Sequence, residues 1–163
     1  MLQGCQQITW HLEEHPIAET DGNIVLSDDQ RRLHILKSRI TDAGSYKCVA
    51  RNPAGESTKT FHVEIVVPPS LDQSVHRMKL TVLENEDVEI GCPISGMPDP
   101  DISWLVNGQL LEEGSTKQGV MLSASRKSVL IGSAQLEHEG IYTCVGTNKG
   151  GSLDVDVHLT VLG

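Results

Sequence analysis

Hydrophobic and polar residues alternate along the C-terminal end of the chain. In SLDVDVHLTV, which begins at Ser152, the apolar residues from Leu153 to Val161 fall on one face of an extended strand and the polar residues between them fall on the other. FHVEIVV and LTVLENEDVEIGC alternate in the same way, and no long stretch has helical periodicity. Turn motifs such as NPAG, MPDP and NGQ separate these stretches. The pattern predicts an all-β, antiparallel sandwich in which each sheet has one face exposed to water.

A domain-sized repeat divides the chain. LHILKSRITDAGSYKCVARNPAG, from Leu33, aligns without gaps with VLIGSAQLEHEGIYTCVGTNKGG, from Val129, at a constant offset of 96 residues. Between the copies, VVPP at 66–69 contains two prolines, which cannot donate hydrogen bonds to a sheet and favour a short, stiff joint. We therefore predict two sandwiches in tandem, residues 1–67 and 68–163.

Composition and charge disfavour several classes of function. The net charge of the 163 residues is −9, of which 7 basic and 9 acidic side chains in residues 1–67 contribute −2 and the remainder −7. No basic stripe is present, so we expect no nucleic-acid partner. No run of 18 apolar residues exists, so we expect no membrane insertion in this segment. The opening, MLQGCQQITW, lacks the basic and apolar regions of a signal peptide, and we interpret the chain as a fragment without its own signal.

No residue pattern indicates a catalytic, cofactor-binding or metal site. The seven histidines are spread over both halves, and His11 and His15 are expected to lie about 13 Å apart along one extended strand. The sequence has no C-x-x-C pair, no nucleophile-elbow serine and no glycine-rich phosphate loop. Alternating carboxylates such as Asp154 and Asp156 supply too few oxygens for calcium. We predict that the protein is not an enzyme and holds no cofactor or metal.

Four residues of the second half stand in an informative order. Cys92 precedes Trp104 by 12 residues, and Tyr142 stands two residues before Cys144. Together with G-x-P-x-P-x-I-x-W at 96–104, this order resembles the immunoglobulin superfamily, specifically its I-set. The resemblance implies a Cys92–Cys144 disulfide between the two sheets and a core position for Trp104 beside it. It also implies a tyrosine corner, in which the hydroxyl of Tyr142 bonds to upstream backbone.

The first half matches the same family only in part. DAGSYKCVARNPAG, at 42–55, implies a tyrosine corner at Tyr46, and Q-I-T-W implies that Trp10 is the core tryptophan. Only four residues separate Cys5 from Trp10, a span of at most about 17 Å. A direct path of that length would drive backbone without hydrogen-bond partners through the core, so strands A and B are expected to be missing. Cys5 and Cys48 are then free thiols, or they form an irregular disulfide in a true variant of the fold.

Two further positions depart from the family pattern. His138 stands where the family has aspartate in D-x-G-x-Y-x-C, and we expect Glu137 or Glu139 to replace the missing carboxylate. Asn85 stands in a turn where glycine is usual, and asparagine tolerates the left-handed conformation that such a turn requires.

Tandem I-set units with a V-x-V-P-P-like junction are most similar to the hemicentin family of extracellular matrix proteins, and next to peroxidasin and the titin-type muscle proteins. The resemblance implies a module that binds matrix or cell-surface proteins through sheet faces or edges, beside neighbouring immunoglobulin domains of an array. By analogy of fold alone, strands C, F and G of the second unit and the turns at 107–108 and 148–151 are candidate contact regions.

The alternative is a cytoplasmic, sarcomeric scaffold module whose thiols stay reduced. The absence of any N-x-[ST] glycosylation site is mild support for this alternative. A disulfide between Cys92 and Cys144 in native material would instead indicate an oxidising, extracellular compartment.

Overall fold

The computed structural model describes residues 7–17, 22–72 and 78–163. The chain divides into two compact units, Met1–Ile65 and Val66–Gly163. Both are built from strands and short 3-10 turns, so the predicted all-β, immunoglobulin-like fold is confirmed. The predicted division into residues 1–67 and 68–163 stays a prediction, and Val67 begins a strand of the second unit.

The first unit contains six strands in the residues that the structure describes. They are β1 (Gln7–Leu12), β2 (His15–Pro16), β3 (Ile24–Ser27), β4 (Arg32–Ile35), β5 (Gly44–Asn52) and β6 (Gly55–Val63). One sheet has the order β2-β1-β5-β6, and β3 pairs with β4 in a second, two-stranded sheet. All of these pairs are antiparallel. The predicted absence of strands A and B concerns the residues before Gln7, which lie outside the described residues, and it stays a prediction.

A tight turn separates His11 from His15. The two residues lie on neighbouring strands, where Leu12 pairs with His15 and His11 pairs with Pro16. Our expectation that they share one extended strand is therefore wrong. Glu13 and Glu14 adopt positive φ angles of 47° and 66°, which reverse the chain after Leu12.

Within residues 66–72 and 78–163, the second unit contains ten strands. They are β7 (Val67–Leu71), β8 (Lys79–Leu83), β9 (Val88–Gly91), β10 (Ile94–Met97), β11 (Asp101–Val106), β12 (Gln109–Leu110), β13 (Val120–Leu122), β14 (Ser128–Ile131), β15 (Gly140–Asn148) and β16 (Gly151–Leu162). The large sheet has the order β12-β11-β15-β16-β8, and the facing sheet has the order β13-β14-β9. β7 pairs with β10. The VVPP segment thus contributes mainly to an exposed edge strand, where proline is tolerated.

One strand pair differs from the predicted antiparallel arrangement. β8 runs parallel to β16, with Leu80 opposite Leu159 and Val82 opposite Val161. Parallel pairing needs a long connection, and here all strands from β9 to β15 lie between the two partners. The register places the half-buried Leu80 and Val82 against the core of the unit.

The core of the second unit lies between its two sheets. Cys92 and Cys144 form a disulfide with a Cα–Cα distance of 5.8 Å, which confirms the predicted pairing. Trp104 is fully buried in the same cluster and lies opposite Cys144 in the sheet register. Residues 155–161 alternate as predicted, with Val155, Val157, Leu159 and Val161 buried. A bridge with a sequence separation of 52 stabilises the fold by about 4 kcal/mol in the chain-entropy model.

Candidate functional site

The two tryptophans occupy equivalent places in the two units. Trp104 Nε1 donates a hydrogen bond of 2.9 Å to the carbonyl of Arg126, and Trp10 Nε1 donates one of 2.7 Å to the carbonyl of Gln30. The two accepting residues are 96 positions apart and have positive φ angles of 62° and 65°. The sequence analysis did not predict these two carbonyl acceptors. Once either acceptor is known, the constant offset of 96 residues identifies the other. The bonds satisfy an indole N–H that the core would otherwise leave unpaired.

Both predicted tyrosine corners have their hydroxyls bonded to the backbone. Tyr46 donates to the carbonyl of Asp42 at 2.6 Å, and Tyr142 donates to the carbonyl of His138 at 2.8 Å. Burial raises the pKa of Tyr142 to about 12, because the phenolate would lose its water. Burial also raises the pKa of Tyr46, and the negative charge of Asp42 raises it further. Both hydroxyls therefore remain donors throughout the neutral pH range.

The aspartate of the first corner accepts a backbone hydrogen bond across its own turn. Asp42 Oδ2 accepts from the N–H of Arg39 at 2.7 Å, and the guanidinium of Arg39 lies beside the carboxylate, with Nη2 3.3 Å from Oδ1. The hydrogen bond from the Arg39 side chain is the main cause that lowers the pKa of Asp42. Asn23 Nδ2 donates to the same carboxylate. Hydrogen bonds from Arg39 and Asn23 thus hold the Asp42 carboxylate in place.

In the second tyrosine corner, the ring of His138 accepts the backbone hydrogen bond that the aspartate accepts in the first. His138 Nδ1 accepts from the N–H of Gln135 at 2.8 Å, and its Nε2 lies 2.7 Å from the carbonyl of Gln118. This arrangement assigns the ring as a neutral tautomer with its proton on Nε2. Our expectation that Glu137 or Glu139 replaces the aspartate is therefore wrong. Glu139 instead accepts from the N–H of Val161.

Cys48 of the first unit does not reproduce the bridge of the second. Cys48 carries a free thiol, and Cys5 lies outside the described residues. Burial raises the pKa of the Cys48 thiol, which lowers the fraction of reactive thiolate at neutral pH. In the sheet register Cys48 lies opposite Trp10, as Cys144 lies opposite Trp104.

An apolar groove opens on the inner face of the first unit. It has a volume of about 360 Å³, and it includes an aromatic pair, Trp10 and Phe61, with ring centroids 6.0 Å apart. The remaining lining residues are the aliphatic side chains of β4 and β6 and one corner tyrosine: Leu33, Ile35, Val63 and Tyr46. The predicted core of this unit is therefore partly open to water.

The second unit shows how the equivalent positions are covered. Val129 and Ile131 in β14 are 0% and 1% exposed, whereas the corresponding Leu33 and Ile35 in β4 are only half-buried. Phe61 is 41% exposed, whereas the corresponding Val157 is 4% exposed. In the second unit, β9 pairs with β14 and closes this side of the core. No described residue of the first unit forms a strand in that place.

The outer face of the large sheet of the second unit is a second candidate surface. It combines exposed carboxylates with apolar side chains: Asp154 lies opposite Val145, Asp156 lies opposite Thr143, and Ile141 is 39% exposed. Thr143 Oγ1 donates to Asp156 Oδ1 at 2.6 Å, which fixes part of the face. These strands are β15 and β16, which correspond to the predicted contact strands F and G. The Asn107–Gly108 turn is held by the bond from Ile141 N to Asn107 Oδ1.

The described ranges contain no group of three or more histidine, cysteine, aspartate or glutamate side chains that could hold a metal ion. In the same residues, no helix is long and apolar enough to cross a membrane. The described residues thus present two candidate surfaces, an apolar groove in the first unit and the outer face of the large sheet in the second.

Comparison with known proteins assigns the fold to a family. The Immunoglobulin I-set domain model matches residues 3–65 and 69–161. The chain belongs to the immunoglobulin I-set family. Solved structures agree on the fold: the N-terminal four Ig domains of Dscam1 isoform 6.9 superpose with a TM-score of 0.75 at 19% identity, over 96% of this chain and 38% of that one. Titin-A168169 gives a TM-score of 0.72 at 23% identity, over 97% and 84%.

The sequence relatives include matrix and muscle proteins. Hemicentin-2 of Mus musculus is 35% identical over 96% of this I-set chain, and Hemicentin-1 of Homo sapiens is 36% identical over 94%. The chain spans 3% of the length of either hemicentin. The striated muscle preferentially expressed protein kinase of Danio rerio is 36% identical over 82% of this chain and 4% of that protein.

The lowered pKa of Asp42 predicts how the first unit responds to acid. A depressed pKa in the folded state contributes stability above the unfolded-state pKa, and this stability is lost as the pH falls through the folded-state value. We expect the stability of the first unit to fall more steeply below about pH 4 in the wild type than in Asp42→Asn, whose amide oxygen still accepts from Arg39. Urea unfolding of protein labelled with 5-fluorotryptophan, followed through the Trp10 resonance, measures this. Parallel pH curves for the two proteins would contradict it.

Proposed function

We propose that this chain is a non-enzymatic, protein-binding and structural module of a tandem-immunoglobulin protein of the extracellular matrix or cell surface, of the hemicentin type. The observation that carries the proposal is the Cys92–Cys144 disulfide in an I-set unit. Disulfides persist in oxidising compartments and are rare in the cytosol. The similarity to two hemicentins over nearly the whole chain supports the same compartment.

The second unit supplies the rigid part of such a module. Its interior is closed by the bridge and by Trp104, so its outer faces keep a fixed shape. The outer face of the large sheet carries Ile141, Val145 and Asp156, whose backbone is already fixed by strand pairing before a partner binds. A pre-organised face of mixed apolar and charged residues is suited to docking another protein, because few side chains lose freedom there.

A sarcomeric scaffold module is the second candidate. The muscle kinase relative favours it, as does the absence of an N-x-[ST] sequence, since an unglycosylated chain is compatible with the cytosol. The two candidates differ in the state of one pair of sulfur atoms. In the cytosol, glutathione and thioredoxin would keep Cys92 and Cys144 as thiols.

Native protein, alkylated before extraction and digested with trypsin without reduction, distinguishes the two candidates. We expect the peptides 80–117 and 128–149 to remain linked through Cys92 and Cys144, because the bridge forms in an oxidising compartment. Cys48, a free thiol, is the internal control and should carry the alkyl group. Alkylation of both Cys92 and Cys144 in native material would overturn the extracellular proposal and favour the sarcomeric one.

A matched pair of surface variants tests the docking face. Ile141 on the large sheet and Met121 on the facing sheet are similarly exposed, at 39% and 42%. We expect Ile141→Arg to weaken adhesion of beads coated with the chain to a hemicentin-type matrix or cell surface by about tenfold, since a charge at the centre of a docking face must be desolvated. Met121→Arg makes the same change on the opposite sheet and should leave adhesion unaltered. Equal adhesion by both variants and the wild type would exclude this face.

A further inference from the structure

The two tyrosine corners satisfy equivalent backbone N–H groups with different chemistry. In the first corner, Asp42 Oδ2 accepts from the N–H of Arg39 at 2.7 Å. In the second corner, His138 Nδ1 accepts from the N–H of Gln135 at 2.8 Å. The offset of 96 residues relates both the donors and the acceptors. An ordinary carboxylate keeps its charge and its acceptor atoms down to about pH 4, whereas a histidine ring loses its only acceptor when it takes up a proton.

The surroundings of His138 fit the neutral ring alone. The residue is 5% exposed, and its Nε2 lies 2.7 Å from the carbonyl of Gln118, which accepts the proton of the neutral ring. On a protonated ring, Nδ1 would also carry a hydrogen, and that hydrogen would point at the N–H of Gln135. Two donors would then face each other without an acceptor, in a place that water does not reach. Protonation of the folded corner therefore breaks the bond to Gln135.

The charged side chains around the second corner do not bond to the histidine ring. Both ring nitrogens are already used, by Gln135 and Gln118. The carboxylates of Asp87 and Glu139 accept from backbone N–H groups of neighbouring segments instead. The charged residues on the corner itself, on the 117–119 turn and on the 84–87 segment are Glu84, Glu86, Asp87, Lys117, Glu137 and Glu139.

The field of these groups is weaker than the conflict at Nδ1. All but Glu84 are exposed, so water and salt screen their attraction for a charged ring. The strand β16 also packs against the corner, but its charged residues, Asp154, Asp156 and His158, lie on the exposed face of the strand. The contact between Nδ1 and the N–H of Gln135 is buried and direct, and it decides which form of the ring the folded unit accepts.

We propose that His138 is an acid-sensitive switch in the second unit, whose neutral ring holds the turn before β15 closed and whose protonation opens that turn. The turn Leu136–His138 lies directly before β15, and the hydroxyl of Tyr142 bonds to the carbonyl of His138, so loss of the Gln135 bond loosens the whole corner. The inference goes beyond the proposed function and does not depend on it, because it concerns the stability of one unit.

The direction of the effect follows from proton uptake. An unfolded histidine becomes charged below about pH 6.5, whereas the folded corner accepts only the neutral ring. The unfolded state therefore binds more protons, and the stability of the second unit falls as the pH falls below this value. The first corner, with a carboxylate in the same place, keeps its acceptor in this range. Acidification should thus loosen the second corner before the first.

A matched pair of histidine variants tests the switch in the full chain. Urea unfolding at pH 7 and pH 5 is followed through the Trp104 resonance of protein labelled with 5-fluorotryptophan. Between these pH values, we expect the unfolding equilibrium constant of the second unit to rise about tenfold more in the wild type than in His138→Asn, whose amide oxygen can still accept from Gln135 and does not titrate. His158→Asn makes the same change at an exposed position of β16 and should retain the wild-type response.

A second measurement uses the wild-type chain and does not depend on the folding of a variant. In protein with ¹⁵N-labelled histidine rings, His138 of the folded unit should carry hydrogen on Nε2 and none on Nδ1, and it should stay neutral at pH 5, where the exposed His158 is charged. The protection factor of the Gln135 amide should fall at least threefold between pH 7 and pH 5, while that of the Arg39 amide stays constant.

Two results would overturn the proposal. The first is the same pH dependence of unfolding in the wild type and in His138→Asn. The second is a folded unit at pH 5 in which the ring of His138 is charged while the Gln135 amide keeps its protection, because the corner would then accept the proton without opening.

Discussion

The two sheets of an immunoglobulin unit must be closed over a common apolar interior, and in this protein the closure depends on the strand that carries the first cysteine. β9 completes the facing sheet, places Val88 and Ile90 in the core, and brings Cys92 to Cys144 beside the buried Trp104. β9 and the following Cys92 therefore supply the backbone pairing, the apolar burial and the covalent bridge from one short segment. The rest of the second unit, including its outer face, is held in shape by that segment.

The first unit shows what the same fold is like when its described residues supply no such strand. Its tryptophan, tyrosine corner and β5–β6 hairpin are in place, and Tyr46 is buried as deeply as Tyr142. Yet Phe61 is exposed, Leu33 and Ile35 are half-buried, and Cys48 is a free thiol. The corner bond and the pairing of β1, β5 and β6 thus form without that strand, whereas closure of the core requires it. Closure of the core therefore distinguishes the second unit from the described part of the first.

Sequence patterns predicted those parts of the structure that follow from local chemistry. The alternation at 153–161, the tyrosine corners and the Cys92–Cys144 pairing all rest on fixed spacings, and Asn85 adopts the expected left-handed conformation with φ of 74°. The errors came where geometry is decided by distant residues. His138 replaces a carboxylate by accepting through Nδ1 while Gln118, twenty residues away, fixes its tautomer. The parallel β8–β16 pair and the open groove likewise depend on which distant strand pairs with a given sheet edge. Local sequence patterns do not encode this pairing.

Amide hydrogen exchange, resolved by residue, tests most directly whether the pairing of β9 with β14 makes the difference between the two units. Since hydrogen bonding alternates along an antiparallel pair, and Cys92 bonds to Lys127, the backbone groups of Val129 and Ile131 face β9. The equivalent groups of Leu33 and Ile35 face the edge of β4 that has no strand partner within residues 7–17 and 22–65. We expect slow exchange at Val129 and Ile131 and exchange faster by orders of magnitude at Leu33 and Ile35. The amides of β4 that face β3 should show intermediate protection. Equal protection at the two pairs of positions would contradict it.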